Sequence, residues 1–278
     1  MLAHCVCCPR QCGVDRLNNE TGFCQTGSRA IVAACHPHFG EENPLTGRNG
    51  SGTIFFSHCN LCCNFCQNFD ISHGGDGRPV TDVELAGMML SLQDMGCHNI
   101  NLVTPSHVVP QILSALEHAV AKGLTLPLVY NSSAYDGVDT LKLLDGVIDI
   151  YLPDFKFWES EIAKDTCQAP DYADVARRAV SEMHRQVGNL VVDDAGIAQK
   201  GLIVRHLVLP YDLAGTRKVM QFICKSISPH TCVNLMPQYR PCGRAHETPA
   251  LSRALAPEEY KTALHAARQE GITRLDGR

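Results

Sequence analysis

The residues with the plainest chemistry are four cysteines within eight positions, in Cys59-Asn60-Leu61-Cys62-Cys63-Asn64-Phe65-Cys66. Thiolates this close together are metal ligands, and the spacing offers two arrangements. Cys59/Cys62 and Cys63/Cys66 would make two abutting pairs and a four-thiolate zinc or iron–sulfur site. Pairs with no residue between them cannot easily set four sulfurs tetrahedrally. The alternative is Cys-x3-Cys-x2-Cys, using Cys59, Cys63 and Cys66. Three thiolates hold three corners of a [4Fe–4S] cube and leave the fourth iron open to a ligand, and Cys62 is then a bystander. A second set lies near the start, Cys5-x2-Cys8-x3-Cys12-x11-Cys24. Cys-x2-Cys is the bite of a chelating knuckle, and an all-sulfur set suits zinc, a single iron or an auxiliary cluster. Cys35, His36 and His38 stand close enough in sequence to intervene.

The chain has fifteen cysteines in all, an odd number, and no basic-then-apolar stretch opens it. That points to a reducing, cytoplasmic setting in which clustered thiols bind metal rather than pair as disulfides. The 278 residues carry a net charge of −5 and are 45% apolar. This is enough chain for one large core without staples, and it excludes a disordered or collagen-like protein. With no Lys/Arg cluster and no run of 18 apolar residues, neither a nucleic acid nor a membrane is an expected partner.

The elements that must position these thiols follow from periodicity. Residues 1–50 are rich in Cys, Gly, Asn and Pro and read as an irregular metal-binding segment ending in a loop at 41–50. From there to residue 278, short apolar runs at 53–57, 99–104, 127–131, 147–152, 202–209 and 231–236 read as buried parallel strands. Helical spacing fills 80–96, where Thr81 and Glu84 form a capping box, and 106–123, with Pro110 in the first turn and Gly123 past the end. It also fills 137–146, 171–187, 213–227 and 257–270, while 189–204 reads as a β-hairpin leading into strand five. Strand–helix alternation means an α/β fold. Eight barrel units need about 250 residues, more than remain after the first segment, so six units make a partial, open (β/α)6 barrel. Chemistry belongs at the C-terminal ends of its strands, which is where Cys59 to Cys66 fall.

Two strand ends carry charge. Asp154 and Lys156 stand at i and i+2 after an apolar run and so point to the same side. A carboxylate suits ribose hydroxyls and an ammonium suits a carboxylate. Arg205 and His206 interrupt the apolar run 203–209. Neighbours on a strand face opposite ways, so one looks into a polar interior and the other must be satisfied in the core.

Cys-x3-Cys-x2-Cys after the first strand of six βα units, with Phe65 before the last Cys, resembles the radical SAM superfamily. The text from Gly52 to Asn68, with Asp149-Ile-Tyr-Leu-Pro-Asp-Phe-Lys156, is similar to the pyruvate formate-lyase activating enzyme branch and its PflX-type iron–sulfur proteins. The resemblance implies a [4Fe–4S] cluster whose free iron binds S-adenosylmethionine. Reductive cleavage would give a 5′-deoxyadenosyl radical that abstracts hydrogen, with an electron donor such as flavodoxin or ferredoxin. It implies an oxidoreductase, with a glycyl radical enzyme as protein substrate if the chain is an activase. The alternatives are radical chemistry on a small molecule or cofactor precursor, and a non-catalytic iron–sulfur protein. By the same resemblance Phe65 packs on the adenine, and Asn68, Thr104, Ser132, Asp154, Lys156, Arg205 and Gln238 bind the cofactor. The chain departs from the branch at Thr104-Pro105-Ser106, where related activases carry Gly-Gly-Glu and a carboxylate for the methionine amino group.

Overall fold

The computed structural model describes residues 1–276; Gly277 and Arg278, the end of the second expected region, lie outside the described residues. In chain order the strands are β1 (Ala30–His38), β2 (Ser51–Phe56), β3 (Arg78–Val80), β4 (Ile100–Val103), β5 (Leu128–Ser132), β6 (Ile150–Pro153), β7 (Val191–Val192), β8 (Ala198–Leu207), β9 (Cys232–Met236) and β10 (Arg274–Asp276). The helices are α1 (Asn43–Thr46), α2 (Asp82–Asp94), α3 (Val109–Ala121), α4 (Val138–Lys142), α5 (Ser160–Cys167), α6 (Tyr172–Val187), α7 (Thr216–Phe222) and α8 (Pro257–Gln269).

One large sheet runs in the order β10-β9-β8-β6-β5-β4-β2-β1-β3, with β7 paired to β8. Strands β2, β4, β5, β6, β8, β9 and β10 are mutually parallel, and β1 and β3 close one side in antiparallel register. The two ends, β10 and β3, do not meet, so the sheet is open rather than closed. The six expected strands fall at β2, β4, β5, β6, β8 and β9, and the hairpin pairs Val191 with Lys200.

Helices α2 and α6 form where capping and apolar spacing predict them. In α2, the Thr81 hydroxyl accepts from Glu84 N while Glu84 accepts from Thr81 N, and Leu85, Met89 and Leu92 are buried. In α6, Tyr172, Val175, Ala176, Ala179, Val180 and Met183 recur at three and four and are buried against the sheet.

The first fifty residues correct the expectation of irregularity. Nine of them form β1, whose Val32 to His38 pair with Ser51 to Phe56 of β2. The expected loop at 41–50 contains the single turn α1, opened by Pro44. Helix α5 was not expected, α4 is shorter than 137–146, and 213–227 divides into α7 and a π-helical turn at Ile223–Ile227, with a 3-10 turn at Pro210–Asp212 just before it.

The role of α1 explains how the sheet positions a site. Side chains alternate along strands. Val129, Ile150, Leu152 and Ile203 share a small core with Leu45 of α1, separate from the main core that contains Tyr130, Tyr151, Leu202 and Val204. Complete burial of Leu45 stabilises this plug by roughly 1.5–3 kcal/mol. Two residues further on, beyond the apolar layer, the same alternation brings Asn131, Asp154 and Arg205 to the C-terminal strand ends.

Candidate functional site

A cavity of about 380 Å³ opens at those strand ends. Its wall includes Cys59, Cys63 and Cys66 but not Cys62. The Cys62 thiol instead points at the Cys59 carbonyl, 3.0 Å away, and at Ser72 O, from a left-handed backbone with φ 52°. Its proximity lowers the Cys59 thiol to about 6 against the opposing effect of burial. Burial raises Cys66 to about 11, and the neighbouring Cys167 thiol together with burial raises Cys63. All fifteen cysteines are free thiols. Among the described residues no three His, Cys, Asp or Glu side chains are arranged to share one metal ion.

All eight residues expected at a cofactor line this cavity: Phe65, Asn68, Thr104, Ser132, Asp154, Lys156, Arg205 and Gln238. Their engagements differ. Phe65 is buried, edge-to-face with Phe157 and Tyr239, so its ring is at once core and cavity wall. Thr104 follows β4 with φ 61°, a conformation that costs a β-branched residue about 1–3 kcal/mol and that clusters at functional sites. The Ser132 hydroxyl donates to Asp136 at 2.6 Å and accepts from Ala134 N, so it braces the turn after β5.

The charged centre is Arg205. Its Nε donates to Asp154 Oδ1 at 2.6 Å, Nη1 to Glu41 Oε2 at 2.9 Å and Nη2 to Asn131 Oδ1 at 2.6 Å. Lys156 Nζ donates to the other Asp154 oxygen at 2.9 Å. Two cations and two carboxylates thus form one interior network. Burial pushes Asp154 up, but Arg205 and Lys156 outweigh it and hold the carboxyl below its ordinary value. Burial dominates at Glu41 and raises it despite Arg205. Burial also disfavours charge on Lys156 and Arg205, yet the facing carboxylates raise both.

His206, the other polar residue of that strand, points away into the core. Its Nδ1 meets Phe155 O at 2.7 Å and its Nε2 meets Thr216 Oγ1 at 3.0 Å, and burial lowers its pKa to about 4. Sequence reasoning missed Glu41 and Asn131. Asn131 was within reach, one residue before Ser132 on the same strand end. Glu41 sits in a stretch read as loop, and the only local signal is the acidic pair Glu41-Glu42 beside Pro44. Glu42 makes a parallel contact, accepting from Asn234 Nδ2 of β9 at 2.7 Å. His38 and Gly40 join Glu41 on the cavity wall.

The second thiol set occupies its own pocket of structure. Cys5, Cys8 and Cys24 are buried and Cys12 is exposed. The loop that carries the first three expected ligands is closed by Cys5 N to Val14 O, Gly13 N to Cys5 O and Gln11 N to Cys8 O.

No family model matches the chain. It is 34% identical to the uncharacterized protein MJ0674 of Methanocaldococcus jannaschii, over 98% of this chain and 76% of that one. Among solved structures, HydG, a maturase of the [FeFe]-hydrogenase, shares its fold with a TM-score of 0.52 at 14% identity. The match covers 77% of this chain and 47% of HydG, so the chain spans about half the length of that protein.

Proposed function

The chain belongs to the same family as the Methanocaldococcus jannaschii protein, and on that premise we propose that it is a radical SAM enzyme. The observation that carries this reading is the shared cavity: three thiols of a Cys-x3-Cys-x2-Cys run and a network of Asp154, Lys156 and Arg205 line the same space at the strand ends. The likeness of fold to HydG supports it at the level of the superfamily. So does the reading of the six strand–helix units as a partial open barrel.

Cys59, Cys63 and Cys66 would hold a [4Fe–4S] cluster. The donor set fits, because Cys59, Cys63 and Cys66 line the cavity while the fourth cysteine of the run, Cys62, turns its thiol to backbone carbonyls. When bound, the cluster supplies the electron that cleaves S-adenosylmethionine to methionine and a 5′-deoxyadenosyl radical. The protein binds, orients and keeps water out. Lys156 spends one N–H on Asp154 and offers its others to a carboxylate. Asp154 accepts from ribose hydroxyls, Arg205 keeps that carboxylate ionised and aimed, and Phe65 presents an apolar surface to the adenine. Asn68, Thr104, Ser132 and Gln238 supply polar edges, Ser132 through its backbone.

By resemblance the radical is directed at a glycine of a partner enzyme, making the chain an activase fed by flavodoxin or ferredoxin. A small-molecule substrate is the second reading, and one observation favours it. His38, Gly40 and Glu41 wall the cavity from the first segment, an enclosure that suits a ligand buried nearly whole. Anaerobically reconstituted protein with S-adenosylmethionine and a reductant should form 5′-deoxyadenosine, and a protein that holds the cluster but forms none is not a radical SAM enzyme. Turnover with candidate partner proteins separates the two readings: a glycine-centred paramagnetic doublet on a partner supports the activase, and product formed only with a small metabolite replaces it.

A further inference from the structure

Arg16 is the bulkiest of the fully buried side chains, with no exposed surface. Its Nη1 donates to His107 O at 2.7 Å and its Nη2 to the Cys24 sulfur at 3.4 Å. Nε has no partner, and among the described residues Arg16 pairs with no carboxylate. A guanidinium cannot shed its charge, and burying one without an anion is costly. The groups around it are sulfurs. Cys24 touches it, Cys5, Cys7 and Cys12 lie close enough to act on its charge, and Cys8 neighbours Cys24 and Cys5. The Cys12 thiol lies against Gly22, where an added Cβ would stand 2.4 Å from the sulfur, so the first knuckle is pressed onto the turn that carries Cys24. Neutral thiols cannot balance Arg16. Four thiolates around a divalent ion or an iron–sulfur core can, because such a complex keeps a net negative charge.

We propose that Cys5, Cys8, Cys12 and Cys24 hold a thiolate-bound metal centre whose negative charge is balanced by the buried Arg16 guanidinium. The thiols are not gathered around one point, so binding draws the exposed Cys12 turn inward, as expected where metal binding and local folding are coupled. The centre braces the main site from behind. Arg10, two residues after Cys8, donates to Asn60 O at 3.0 Å and to Cys167 O at 2.8 Å. Through His107, whose Nε2 lies 3.0 Å from Ser57 O, Arg16 reaches the strand end that precedes Cys59.

The inference does not depend on the radical SAM reading, and its test removes that site. The full chain carrying Cys59→Ala, Cys63→Ala and Cys66→Ala should retain zinc or iron on elemental analysis. A colourless zinc protein and a coloured iron protein both support the site and tell the two metals apart. Adding Cys24→Ser should release the metal, adding Cys7→Ser should not, and adding Arg16→Met should weaken retention against a chelator about tenfold or more, with Arg16→Lys restoring part of it. Should Cys24→Ser fail to fold, cobalt(II) titration of the triple variant reports on thiolate ligation through its sulfur-to-metal charge-transfer absorption. A triple variant that takes up no metal after anaerobic loading, or gives no such band, overturns the proposal. Retention unchanged by Cys24→Ser, or loss with Cys7→Ser in place of Cys12→Ser, overturns the ligand assignment.

Discussion

In the cavity, Arg205 and Lys156 stand among Asp154 and Glu41, and the four charges cancel. Beneath the first loops, Arg16 stands among sulfurs and a carbonyl. The two regions share an ingredient list, several cysteines beside a buried arginine, and differ in what neutralises the cation. A balanced network is stable before a ligand arrives, and a ligand's own carboxylate or hydroxyls can exchange into it. Around Arg16 no carboxylate is paired with the cation among the described residues, and the proposed thiolate centre would supply the missing negative charge. A cysteine cluster is therefore to be read with its counter-charges: the three cavity cysteines stand beside paired charges, and the four near the start stand beside a buried cation that has no carboxylate partner among the described residues.

The largest effect should separate the two thiol sets. Cys59→Ala, Cys63→Ala or Cys66→Ala should each abolish the cluster absorbance of the main site, and Cys62→Ala should spare it. If Cys62→Ala removes the cluster while Cys63→Ala keeps it, the ligand register is wrong. Next, Arg205→Met should destabilise the fold by about 3–5 kcal/mol in denaturant unfolding, since it removes the cation that the interior carboxylates of Glu41 and Asp154 both face. Adding Glu41→Gln and Asp154→Asn should recover much of the loss. A single-variant cost below about 1 kcal/mol would mean that solvent screens the network and would remove the contrast with Arg16.

A smaller effect is expected on ligand affinity. Lys156→Met should weaken S-adenosylmethionine binding by about 1.5–3 kcal/mol, or roughly tenfold or more, with cluster absorbance intact. Unchanged affinity by calorimetry would take Lys156 out of the site. The smallest effect concerns the histidine behind Arg205. Burial lowers His206 from 6.5 to about 4 in the folded state. Its folded value lies below its unfolded one, so its contribution to stability is complete above pH 6.5 and is lost as the pH falls toward about 4. Between pH 6.5 and 5.5 it should account for about 1 kcal/mol of the decline, and His206→Gln should flatten that part of the curve. Equal slopes in the two proteins would show that His206 does not titrate as a buried neutral ring.

What the sequence determined by itself was whatever is local in the chain. Spacing offered Cys59, Cys63 and Cys66 as one of two ligand sets, because ligand bite is a matter of a few residues. Alternation alone set Asp154 beside Lys156 and assigned opposite faces to Arg205 and His206. Periodicity located the six parallel strands, whose ends bring the eight expected residues to one cavity. Tertiary structure decided the partners. Glu41 meets Arg205 across 164 residues, and no local pattern encodes that pairing. It depends on α1 seating Leu45 in the small core, which in turn needs β5, β6 and β8 to be assembled. Cys24, His107 and the Arg16 guanidinium likewise meet only when the first loops fold against the end of β4. Burial does not belong to a residue type, and with it goes the charge balance that distinguishes the two thiol sites.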